Sequence, residues 1–238
     1  MSPYNSVSDY GVDWRFLKNC SVSFRFYAGM VLFSLVGTIA SKTFHVSPGQ
    51  IPVYASILTM CAGVWTLFKG IGSLRALIFT LCIGASSEIL GLYTGYPFGR
   101  YEYTDRWLPL VVLPNNIYFP LLLPFAWFLI VGASWLSFSN VAGWKRVISA
   151  AGLATFIDFL MEAVMVNKLR YWEWKRHSIY PGGADWMNPF GWFLVSLVAC
   201  QALSYYSKPQ TNDESTEINE GRWVVGLYCA LMATLWLF

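Results

Sequence analysis

The chain has 238 residues, of which 56% are hydrophobic, 18% aromatic and only 12% charged. A soluble domain carries about 25% charged residues, so this composition excludes a water-covered globule, and most of the surface must face lipid. A net charge of +3 without a basic cluster offers nothing to a nucleic acid.

A spanning helix needs about 20 mainly apolar residues, and seven segments qualify. In chain order they are Phe24–Ala40, Ile51–Phe68, Leu74–Tyr93, Ile117–Phe138, Val147–Val166, Phe190–Tyr206 and Arg222–Phe238. Strand alternation is not apparent, so the predicted fold class is an all-α integral membrane protein, about seven transmembrane helices in a single bundle. One membrane domain is expected over residues 1–238. Residues 1–23 form a polar N-terminal segment with Arg15 and Lys18, and Thr38-Ile39-Ala40 is a poor cleavage site, so the first helix reads as a span rather than a leader. Residues 207–221 carry Asp213, Glu214, Glu217 and Glu220 and read as a flexible acidic loop without chemistry.

With the N-terminus cytoplasmic, nine Lys and Arg fall inside and seven outside. Six of the seven lie in two long loops, and short loops weigh most in setting orientation. The N-terminus is therefore expected on the cytoplasmic side of a bacterial or archaeal cell membrane.

Cys20, Cys61, Cys82, Cys200 and Cys229 are scattered, which suits buried small hydrophobes better than disulfides or metal ligands. The only histidines, His45 and His177, are far apart and have no Cys or His neighbours. No metal or redox cofactor is expected.

Two connections, residues 94–116 and 167–189, are too long and too aromatic to be mere turns. As the third and fifth loops of a seven-helix chain they share one side of the membrane. The intramembrane acids lean the same way: Glu88 lies near the end of the third span, Asp158 and Glu162 near the end of the fifth, the last two on one helix face. A charge at mid-membrane costs at least about 2.5 kcal/mol on insertion scales, so such residues are rarely idle. They read either as catalytic groups or as partners of Arg100 or Arg170 that fasten helices together. Tyr96, Tyr101, Tyr103, Trp107, Trp172, Trp174 and Trp186 crowd the same side, which favours a lined pocket over an interfacial belt. Asn115 and Asn116 should enter the fourth helix from this side, and Pro120 and Pro124 should bend it there.

Several of these runs resemble a known family. Glu88-Ile89-Leu90-Gly91 leading to Thr94-Gly95-Tyr96-Pro97-Phe98-Gly99-Arg100-Tyr101-Glu102-Tyr103-Thr104 is similar to the signature of membrane-bound carotenoid hydratases, which include γ-carotene hydratase and bisanhydrobacterioruberin hydratase. Pro120-Leu121-Leu122-Leu123-Pro124-Phe125-Ala126-Trp127-Phe128 resembles the next block. Asp158, Asn167, Tyr171-Trp172-Glu173-Trp174 and Asn188-Pro189-Phe190-Gly191-Trp192-Phe193 resemble the later ones. The likeness covers about Leu74 to Val198; the first two helices add little to it.

The resemblance implies addition of water to the terminal C=C of an acyclic carotenoid, giving a tertiary alcohol. That bond has no electron-withdrawing neighbour, so protonation must precede water capture. The chemistry needs a protonated carboxylic acid, aromatic faces for the cation and a group that holds the water. On this reading Asp158 or Glu162 is the acid and Glu88 or Glu102 positions water, or the two roles are exchanged. Arg100 keeps one carboxylate ionised. Tyr96, Tyr101, Tyr103, Trp127, Trp172, Trp174, Asn188 and Trp192 bind the polyene. The expected partners are a carotenoid, water, the bilayer and, in a pathway, other carotenoid enzymes. Rival readings are a cyclase that shares the protonation step, a prenyltransferase, which would need two aspartate-rich magnesium sites, and a pigment carrier without catalysis. A retinal protein needs a buried lysine that the last span lacks.

Overall fold

The computed structural model describes residues 19–47, 49–176, 178–208 and 215–237. Arg15, Lys18, His177 and Asp213–Glu214 fall outside the described residues. Among the described residues, seven α-helices follow in chain order: α1 Val22–Thr43, α2 Ile51–Ile71, α3 Leu74–Thr94, α4 Leu123–Ser137, α5 Gly143–Ala163, α6 Met187–Tyr206 and α7 Ser215–Leu237. Among the described residues, α1, α2, α3, α5 (with its extension to Leu169) and α6 are each long and apolar enough to cross a membrane. The protein is an integral, multi-pass, all-α membrane protein.

The helix ends follow local chemistry. Ser21 and Ser73 cap α1 and α3 by accepting from the amides of Phe24 and Ala76. Gly72 and Gly95 close α2 and α3 in the left-handed conformation that glycine adopts without a steric penalty. Beyond Ala163 the chain widens into a π-helical stretch, Val164–Leu169.

The predicted fourth span differs most. Its first residues, Ile117–Pro120, form strand β3 against β2, Leu110–Leu113. Asn115 and Asn116 sit in the turn between them with φ of 66° and 58°, rather than entering a helix. Pro120 ends β3 and Pro124 lies in the first turn of α4, where a missing N–H costs nothing. Neither proline bends the helix. At 15 residues, α4 reaches only about 22 Å at 1.5 Å per residue, short of the roughly 30 Å hydrocarbon core. It can be short because it is central: most of its side chains are buried, and α2, α3, α5, α6 and α7 pack around it.

The expected acidic loop is also corrected. Residues 215–221 already belong to α7, and Glu220 is fully buried. Its carboxylate accepts from the Ser21 backbone N–H at 2.5 Å and the Ser21 hydroxyl at 2.8 Å, satisfying donors at the start of α1. The Tyr27 hydroxyl donates to the Val224 carbonyl at 3.1 Å, completing the α1–α7 joint. Glu220→Ala strands those Ser21 donors and should cost about 1–3 kcal/mol, read as a lower unfolding midpoint of the detergent-solubilised protein. Cys20 and Cys200 are buried as expected, whereas Cys61 and Cys82 are exposed on helices that face lipid.

Candidate active site

Two strands join the long loops. β1, Tyr101–Tyr103, pairs antiparallel with β4, Trp172–Trp174, placing Tyr101 opposite Trp174 and Tyr103 opposite Trp172. Side chains alternate along a strand, so two tyrosines and two tryptophans leave the same face of this ribbon and are buried, while Glu102 and Glu173 point out. The Tyr-Glu-Tyr and Trp-Glu-Trp triplets were therefore a strand signal, too brief to stand out beside long helical runs.

The buried face of the ribbon supplies hydrogen-bond donors to acids on two different helices. The Tyr101 and Tyr103 hydroxyls both donate to Glu88 Oε2, the latter at 3.0 Å, and Trp127 Nε1 donates to Glu88 Oε1 at 2.9 Å. Burial, with the Glu88 carboxyl beside them, pushes both phenols well above their usual range, so they remain protonated donors. Trp172 and Trp174 donate their indole N–H groups to Glu162 Oε1 at 2.9 and 2.5 Å. The Asn188 amide donates to Asp158 Oδ2 at 2.9 Å and reaches Glu162 Oε2 at 3.5 Å. Asp158 Oδ1, also buried, has no hydrogen-bond partner among the described residues. Of the six oxygens on these three acids, it is the one left open.

Glycines make the close approaches possible. A Cβ on Gly84 would lie 2.6 Å from the Trp127 ring, and one on Gly91 would lie 3.0 Å from the Tyr101 hydroxyl. Both positions must stay bare for Trp127 and Tyr101 to reach Glu88. Trp127 then stacks on Trp192 with ring centroids 3.9 Å apart.

Glu88, Asp158 and Glu162 line one cavity of about 810 Å³. Tyr101, Tyr103, Trp127, Trp172, Trp174, Asn188 and Trp192 line it with them. Three other predicted site residues lie elsewhere. Tyr96 is 64% exposed and off the cavity wall. Glu102 faces away and forms an ion pair with Lys175 at the surface. Arg100 is exposed and contacts none of the three acids; their donors are phenols, indoles and an amide rather than Lys or Arg. The alternating strand explains Glu102, and the loop ahead of it turns Tyr96 and Arg100 toward water. Trp107, one of the aromatics expected to line a pocket, does line it; residues missed from the sequence include Phe98 and Tyr228, whose hydroxyl lies 3.2 Å from Met161 Sδ. Tyr228 is the one tyrosine of the last span, a signal available beforehand.

A family model described as "carotenoid biosynthesis protein" matches residues 49–238, most of the chain. The chain belongs to the carotenoid biosynthesis protein family. No curated protein and no solved structure matches it. Membership assigns the chain a role in carotenoid biosynthesis, and the apolar, aromatic cavity of this family member suits a polyene held within a bilayer.

Proposed function

We propose that the protein hydrates the terminal C=C of an acyclic carotenoid end group. The observation that carries this reading is the open Asp158 Oδ1, buried beside Glu162 in a cavity walled by aromatic rings. Asp158 gives its proton to the less substituted alkene carbon; the π electrons form the new C–H bond and leave a tertiary cation. The faces of Trp127, Trp192 and the ribbon tyrosines flank that cation, each worth about 0.5–2 kcal/mol. Water adds through oxygen, Glu162 accepts the proton lost from the resulting oxonium, and its return to Asp158 closes the cycle. The sum is one water added with no net proton change.

Glu162 suits the base role because it lies one turn from Asp158 on the same face and shares the Asn188 amide with it. Glu88 is a positioning residue: it fixes two phenols and one indole so that their faces, rather than their polar atoms, meet the substrate. The alkene has no electron-withdrawing neighbour that would open it to direct attack by water, so a fixed acid is the feature this addition needs most.

Expression of the chain in a host that makes acyclic carotenoids tests the reading. The expected product is heavier than its precursor by one water, with a tertiary hydroxyl. A product of unchanged mass with a ring would convert the reading to cyclisation, since an internal double bond would then have captured the cation. Unaltered pigment bound to purified protein would make the chain a carrier.

A further inference from the structure

The cavity that holds the acids has an arm lined by α1 and α2, with Phe33, Gly37 and Thr38 from the first and Ala55, Ser56 and Thr59 from the second. Three hydroxyls of this arm are engaged with their own helices: Thr38 donates to the Ser34 carbonyl at 2.8 Å, Ser56 to Val53 at 2.8 Å and Thr59 to Ala55 at 2.7 Å. With Phe33, Val46, Ile51, Pro52, Ala55 and Met60 beside them, the arm presents mainly hydrocarbon, a surface that suits an apolar chain better than a headgroup or sugar. Lys42 and His45, both exposed, also line it. Gly37 borders open space: a Cβ built there meets nothing within 4 Å. All of α1 precedes the residues that match the family, 49–238, so this wall is contributed by a part of the chain outside the family match.

We infer that α1 gauges substrate length, the polyene behind the reacting end group lying along this arm and passing Gly37. The inference rests on the proposed function for the identity of the reacting end, but the arm can be tested by binding alone. A tryptophan at position 37 fills the arm from a site with room for it, leaving the acids and the ribbon untouched. Gly29, on the same helix, also has nothing within 4 Å of an added Cβ and lies outside the cavity, so Gly29→Trp is the matched control.

The experiment compares two acyclic carotenoids of different length that share one end group. It reads both conversion and the pigment that co-purifies with the protein. Gly37→Trp should lower conversion and retention of the longer carotenoid by about tenfold or more relative to the shorter, on the scale by which a filled apolar pocket discriminates. Gly37→Leu should give an intermediate ratio, and it serves should the tryptophan variant fail to accumulate. Gly29→Trp should keep the wild-type ratio. A wild-type ratio in both Gly37 variants, or the same shift in Gly29→Trp, overturns the gauge. Wild-type protein that retains carotenoid without adding water defeats the hydration reading, and the retention ratio still decides the gauge. Wild-type protein that neither converts nor retains either pigment overturns both.

Discussion

Asp158→Asn should abolish hydration while leaving folded protein in the membrane. The substitution keeps the side-chain shape, and an oxygen remains to accept from the Asn188 amide, now 2.9 Å from Asp158 Oδ2. What disappears is the proton at the one open oxygen of the cluster. Loss of a positioned general acid typically removes about 10²–10⁴-fold in rate, and here protonation is the step that creates the cation. Quantifying hydroxylated carotenoid per unit of membrane protein checks this. Glu162→Gln should also lose product, because it removes the proton acceptor but spares two of its oxygen contacts. Glu102→Gln is the internal control. Its side chain is 53% exposed and, among the described residues, pairs with Lys175, and surface pairs of this kind contribute about 0–1 kcal/mol. Wild-type product from Asp158→Asn would remove the acid from the mechanism, whatever the behaviour of Glu162.

Glu88→Ala should be the most destabilising single change in the site. Glu88 is 4% exposed and accepts from Tyr101, Tyr103 and Trp127. Removing the carboxylate leaves three buried donors without an acceptor, each costing about 1–3 kcal/mol, and opens a void beneath the ribbon. The three do not add simply, because they share one acceptor, but a loss of about 3 kcal/mol or more is expected. Tryptophan fluorescence during thermal unfolding in detergent should report a lower midpoint for Glu88→Ala than for Glu88→Gln, which retains an acceptor oxygen. Adding Tyr101→Phe and Tyr103→Phe to Glu88→Ala removes two orphaned donors and should recover part of the loss, a coupling that a double-mutant cycle measures. An alanine variant that melts with the wild type would mean that Glu88 does not hold the ribbon to α3 and α4.

The spacing of apolar runs located the helices because lipid imposes a length of about 20 residues and tolerates few charges within it. The same constraint made Glu88, Asp158 and Glu162 conspicuous, and loop parity put their helix ends on one face. The order of the aromatic blocks in the sequence resembles a carotenoid enzyme family, and a family match over residues 49–238 places the chain in carotenoid biosynthesis.

Other features lay beyond reach of the chain read linearly. Ile117–Pro120 looked like the start of a span because an apolar strand and an apolar helix turn have the same composition; pairing with Leu110–Leu113 chose the strand. Glu220 sat among acidic residues that resemble a solvated loop, and only its burial against Ser21, 199 positions away, distinguishes it. Glu102 looked equivalent to Glu88 on chemistry alone. The register of Tyr101–Tyr103 against Trp172–Trp174 sent it to the surface and its two neighbours to the acids. The sequence by itself determined which residues could leave water, since that depends on composition within one segment. Only the tertiary structure decided which of them meet, because strand register and helix neighbours join segments far apart in the chain, and those long-range contacts leave no local pattern.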